Sequence, residues 1–201
     1  MKQTAFRRAA FVAGWFVIAL AAAGCGNAEA DRDSSISTPA AAVDPGADPS
    51  ELTVTGEDDV SVTLTGPLAI KYASATQAQR EALGRPLTGD HNAGTRESGV
   101  VYQQFRGGVI IAKNSDPGTP AYIVTSGKIR DAWNTERAPD GTPMLLGTNG
   151  SAGPLGVPTS DVTVDGPLET VTFEHGEISE NTTTGEVTVT VDGNVVPSGL
   201  R

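Results

Sequence analysis

The same five marks occur twice, in the same order, between residues 66 and 195, and this recurrence limits the fold more than any other feature of the chain. A Gly-x-aliphatic step follows a Val/Thr-rich run at Gly66-Pro67-Leu68 and Gly127-Lys128-Ile129, and again at Gly193-Asn194-Val195. Six residues past each of the first two glycines stands an aromatic, Tyr72 and then Trp133. Leu83-Gly84-Arg85-Pro86 comes next in one copy and Leu155-Gly156-Val157-Pro158 in the other. Each copy closes on an aromatic, a glycine and an aliphatic: Phe105, Gly108 and Ile110, matched by Phe173, Gly176 and Ile178. The units measure 61 and 66 residues from glycine to glycine. An 11-residue insertion after Trp133 and deletions of four residues before Phe173 and two after Ile178 account for the difference. Length changes confined to loops, with the apolar marks kept in order, are the pattern of duplicated structural units.

The texture within the units is that of strands. Leu52 to Thr55, Val60 to Thr65, Val109 to Ala112, Tyr122 to Thr125, Val162 to Val164 and Val187 to Val191 are short Val, Thr, Leu and Ile runs bounded by Gly and Asp. Their alternation predicts strands buried on one face, with tight turns at Asp165-Gly166 and Asp192-Gly193. From Leu68 to Leu83 the apolar spacing changes to three and four, which predicts a helix ended by Gly84 and stopped by Pro86. The expected class is mainly β with short helices: α+β repeat units of strand hairpins, each with a short helix before its Leu-Gly-x-Pro turn.

These marks resemble the LGFP repeat of cell-envelope proteins in mycolate-bearing bacteria. Arrays of that repeat accompany or replace a mycolyl-transferring domain and are thought to hold proteins to cell-wall polysaccharide. The resemblance covers Gly66 to about Val195, two units (about 66–126 and 127–192) and the opening of a third. It departs where Arg85 and Val157 occupy the position of the family's name-giving Phe. Two units are also fewer than the longer arrays use to build a closed, propeller-like module, and stacked repeats generally need about three. Either Glu51 to Thr65 and residues 193–201 cap the domain, or two chains complete each other as a homo-oligomer.

The N-terminus has a different logic. Lys2, Arg7 and Arg8 precede an apolar run from Ala9 to Ala23, broken only by Gly14. A positive start followed by a short greasy core is the plan of a signal peptide, and the run is shorter than the roughly 20 residues a bilayer span requires. It ends in Leu20-Ala21-Ala22-Ala23-Gly24-Cys25, which resembles a lipobox, with Ala22 where Leu or Val is usual. That resemblance implies cleavage between Gly24 and Cys25 and acylation of Cys25. The expected product is exported and lipid-anchored at the outer face of the cell membrane. Arg7-Arg8 is read as an ordinary positive start, because Ala9-Ala10-Phe11 fits twin-arginine export poorly.

All 24 acidic residues but only 11 of the 14 basic ones lie after Gly24, so the mature chain carries 11 − 24 = −13. Such a balance disfavours nucleic acid and anionic lipid as partners. Gly26 to Ser50 contain six Ala, four Asp, four Ser and three Pro, with Ile36 and Val43 the only large apolar residues. Residues 25–50 are therefore expected to form a disordered tether between the lipid and a domain spanning 51–201.

Groups able to carry chemistry are sparse. His91 and His175 are the only histidines. His175, in Phe173-Glu174-His175-Gly176, is a general base or, as preferred here, an exposed turn residue. Asn149-Gly150-Ser151-Ala152-Gly153 lacks the first glycine of a nucleophile elbow. Asp161 to Gly166 superficially suggests a calcium loop, but Thr163 replaces the middle ligand and the segment alternates like a strand. No metal site, cofactor or catalytic set is expected.

The binding signal lies in the aromatics. Tyr72, Tyr102, Tyr122 and Trp133, with Phe105 and Phe173, are the six outside the signal peptide. Aromatic faces suit sugar rings, so Tyr72, Trp133, Tyr102 and Tyr122 are candidate glycan contacts; the alternative is that they build the core. The function expected is a non-catalytic lipoprotein that binds or links to cell-wall polysaccharide. An accessory lipoprotein that binds an envelope protein or enzyme stands second, and a hydrolase or acyl transferase third.

Overall fold

A computed structural model describes residues 50–201. The expected signal peptide, Cys25 and the tether lie outside the described residues, except for Ser50, whose carbonyl accepts the Gly66 N–H at 2.6 Å.

A first hairpin, β1 (Glu51–Thr55) and β2 (Ser61–Thr65), runs into α1 (Gly66–Ser74) and then α2 (Gln77–Leu83). The expected continuous helix is thus two. Ala75 is extended, at φ −63° and ψ 143°. Thr76 restarts the helix through a capping box: its hydroxyl accepts the Gln79 N–H at 3.1 Å while the Gln79 side chain accepts the Thr76 N–H at 2.9 Å. α2 ends where predicted, on Gly84 at φ +68°.

Four antiparallel strands follow in chain order, β3 (Ala93–Thr95), β4 (Val101–Phe105), β5 (Gly108–Ala112) and β6 (Ala121–Thr125). Next come α3 (Lys128–Asn134) and a second hairpin, β7 (Thr135–Arg137) and β8 (Pro143–Thr148). The last sheet is an antiparallel meander of β9 (Thr163–Asp165), β10 (Leu168–Phe173), β11 (Gly176–Asn181), β12 (Val187–Val191) and β13 (Asn194–Val196). The architecture is mainly β with three short helices, as the sequence texture implies. The insertion after Trp133 is an ordered hairpin.

Two cores share the middle sheet. Val54, Leu64, Leu68, Leu83, Phe105, Ile110 and Ile123 form one, and Val109, Ile111, Val124, Trp133, Leu155, Phe173, Ile178 and Val189 the other. Successive residues of β5 therefore enter opposite cores, and all five of its residues are buried. The expectation of burial on one face fails here because β5 lies inside the sheet, between β4 and β6, with a core on each side.

The recurrent marks are the contacts that close each half. Pro86 bridges to Phe105 and Pro158 to Phe173. Leu83 O accepts the Gly107 N–H at 2.8 Å, and Leu155 O the His175 N–H at 3.1 Å. Gly107 O then accepts Ser126 N–H at 2.7 Å, as His175 O accepts Asp192 N–H at 2.8 Å. At the name-giving position, Val157 is buried whereas Arg85 is exposed and pairs with Asp59 at 2.7 Å. The third glycine step behaves differently: Asp192 (φ +48°) and Gly193 (φ +80°) turn the β12–β13 hairpin, and a strand follows where Gly66 and Gly127 are followed by helices.

Candidate functional site

The four candidate aromatics do not converge. Tyr72, on α1, stacks on Phe105 with ring centroids 5.7 Å apart and 10° between planes. Its half-buried phenol is pushed above the ordinary tyrosine range by desolvation, with Arg80 pulling in the opposite direction. Trp133, on α3, makes the equivalent contact with Phe173 at 5.6 Å. It is only 4 % exposed, and its indole N–H donates to Gly156 O at 3.0 Å. The shared spacing of Tyr72 and Trp133 thus records an internal contact. As a glycan platform Trp133 is corrected: one face lies on Phe173 and the ring is enclosed in the second core. Tyr72 keeps a partly open surface.

Tyr102 and Tyr122 belong to one row of the middle sheet, each paired with Ile111 between them. Two strand spacings set them roughly 10 Å apart. Both are half-buried. The Arg96 guanidinium lies 5.1 Å from the Tyr102 ring centre, and the Tyr102 hydroxyl donates to His91 O at 3.3 Å. Half-buried rings flanked by a cation and backbone oxygens can stack on and hydrogen-bond a sugar, one ring at a time.

Other polar residues tie the halves together. Asp161 accepts from Lys71 Nζ at 2.5 Å, from Gln79 Nε2 at 3.1 Å and from the Ile123 N–H on edge strand β6 at 2.8 Å. Its carboxylate is spent on α1, α2 and β6, and the segment after it forms β9, as its alternation predicts. Arg130 donates to Gln104 Oε1 and to Ser126 Oγ, the latter at 3.1 Å, joining α3 to the sheet. His175 is exposed in the β10–β11 turn, 3.9 Å from Asp192. Among the described residues no group of three or more His, Cys, Asp or Glu is placed to hold a metal ion.

Beside it, Glu174 receives Lys113 Nζ at 2.7 Å and the Val157 N–H at 3.3 Å. The Lys113 hydrogen bond is the main cause that holds its pKa below the ordinary glutamate range, against some desolvation. A depressed folded value makes its contribution to stability present above the unfolded value and lost as pH falls through the folded one. With Lys113 68 % exposed the pair is screened, so Glu174→Gln is expected to cost less than about 1 kcal/mol near neutrality. The variant should also lose stability less steeply than the parent below about pH 5, in urea titrations at stepped pH.

Residues 83–141 match the LGFP repeat family. The LGFP match begins at Leu83, spans the Leu-Gly-x-Pro turn, the middle sheet and α3, and ends at Gly141 between β7 and β8. It includes Tyr102, Tyr122 and Trp133 and leaves out Tyr72. LGFP is a cell-envelope-associated repeat family. No match to the chain is found among curated proteins.

Proposed function

We propose that this chain is an exported lipoprotein, acylated at Cys25 after cleavage behind Gly24, whose two LGFP-like units bind cell-wall polysaccharide and so link membrane to wall. The observation that carries the reading is the LGFP match at residues 83–141. The second unit is supported by the Leu155-Gly156-Val157-Pro158 segment, whose bridge to Phe173 repeats that of Pro86 to Phe105. The N-terminal pattern ending at Cys25 supports the anchor. Among the described residues no helix is long and apolar enough to cross a membrane. Two or more acyl chains suffice for stable anchoring without one.

Tyr72, Tyr102 and Tyr122 are the proposed sugar contacts, and the module is read as non-catalytic. The test is photocrosslinking in intact cells from probes placed at these three positions. Crosslinks to glycan fragments are expected at one or more of them. Crosslinks to protein alone would replace this reading with that of an accessory subunit for an envelope partner.

A further inference from the structure

Three consecutive large apolar residues stand uncovered on β8: Met144 is 52 % exposed, Leu145 85 % and Leu146 81 %. A single exposed leucine needs no explanation, but a contiguous apolar patch on an otherwise acidic, polar surface does. Thr135 pairs with Thr148 and Arg137 with Pro143, so the three residues stand in an irregular, bulged stretch of β8. Each is more than half exposed. A lipid phase can take up such side chains whatever direction each one points.

We propose that the β7–β8 hairpin is a membrane-contacting wedge, with Met144, Leu145 and Leu146 entering the lipid interface beside the anchor. This rests on the reading of Cys25 as acylated. The hairpin suits lipid better than a second copy on two further counts. Arg201 Nη2 donates to Leu145 O at 2.7 Å, which occupies the outer edge of β8 that another strand would need. Three side chains also fall well short of the roughly 800 Å² per partner of a stable interface. On the reading of residues 25–50 as a flexible tether, the 25 residues between Cys25 and Glu51 would span about 25–30 Å on average, which leaves the hairpin free to turn toward the bilayer. Glu136 and Asp140 accompany Arg201 around the hairpin, so the wedge carries no net positive face and neutral lipid is its target.

The experiment uses the acylated chain in phosphatidylcholine vesicles. A polarity-sensitive dye is attached to the single free thiol of a Leu146→Cys variant or, as control, of Thr188→Cys on exposed sheet surface. Spin-labelled lipid is expected to quench the dye at 146 several-fold more than at 188. Adding Leu145→Asp should bring the two to the same level. Equal quenching at both positions in the parent background would overturn the proposal. So would a dye at 146 shielded from water but unquenched by lipid in a chain that sediments as a dimer, which would assign the hairpin to a second copy. If the Cys25 peptide carries no lipid by mass and the chain does not float with vesicles, the anchor reading fails and takes the wedge with it. That result is distinct from a floating chain whose dye at 146 is unquenched.

Discussion

Replacing Gly176 by alanine is expected to destabilise the domain by about 3 kcal/mol or more, a large share of the stability of a small domain. The reason is geometric: a Cβ on Gly176 would sit 1.9 Å from Thr190 O and 3.1 Å from Leu155 Cδ2, so the β11–β12 ladder would have to open. Its counterpart Gly108 would meet Val124 O at 2.8 Å and Leu83 Cδ2 at 3.0 Å, a milder clash for which about 1–3 kcal/mol is expected. The glycine mark is thus the place where the leucine of Leu-Gly-x-Pro and the neighbouring strand both press on the backbone. Gly166 is the control, having positive φ but nothing within 4 Å of an added Cβ, and should lose only about 1 kcal/mol. Urea midpoints should rank the variants Gly176→Ala, Gly108→Ala, Gly166→Ala from least to most stable. A Gly176→Ala protein as stable as Gly166→Ala would contradict the packing described for the repeat.

The second large effect is expected at Arg137, which is 4 % exposed and has no carboxylate partner in hydrogen-bond contact. Its guanidinium donates to four carbonyls: Gly141 and Pro197 at 2.9 Å, Ala132 at 3.2 Å and Ser198 at 2.6 Å. One side chain thereby fastens the end of α3, the β7–β8 turn and the C-terminal tail. Desolvation lowers its pKa, yet guanidinium stays charged at any physiological pH. Arg137→Met keeps the stem but leaves those carbonyls without a donor, and a loss of about 2–4 kcal/mol is expected. Arg137→Lys should recover only a small part of it, because an ammonium cannot reproduce the fork. Carboxypeptidase digestion gives the local readout: residues 197–201 should be removed from both variants faster than from the parent. Unchanged digestion would show that the tail is held by other means.

These two residues show what the sequence could and could not disclose. Gly176 was visible because the repeat marks it, and the structure supplies the cause. The Leu-Gly-x-Pro segments, the strand runs and the helix stop at Gly84 were legible for the same reason, being short-range signals in which a residue's neighbours decide its conformation. The split of the first helix was readable too: Thr76 and Gln79 form a capping-box pair that the apolar spacing alone concealed. The expectation of one-face burial missed that the run Val109-Ile110-Ile111-Ala112 does not alternate, as suits a strand buried on both faces. At Gly193 the Asp-Gly turn chemistry outweighed the repeat mark. Arg137 and Asp161 were not legible, since their partners lie up to 61 and 90 residues away in sequence and no local pattern encodes such pairs.

The candidate site was legible only as a set of residue types. Tyr72 and Trp133 hold the same place in their units, but that equivalence reflects stacking on Phe105 and Phe173. Sequence could not separate an aromatic used for packing from one offered to a ligand, because burial depends on what the rest of the chain lays against it. The half-buried Tyr72, Tyr102 and Tyr122 carry the binding proposal forward.

The link to the wall is tested by sedimentation of the unlipidated chain from residue 26 onward with isolated, delipidated cell wall. Retention in the wall pellet that survives moderate salt is expected, since a chain of net charge −13 after Gly24 gains little from electrostatic attachment to anionic wall polymers. Retention should weaken when Tyr72, Tyr102 and Tyr122 are replaced together by leucine. A chain that stays in the supernatant even at low salt would contradict the wall as the other end of the link.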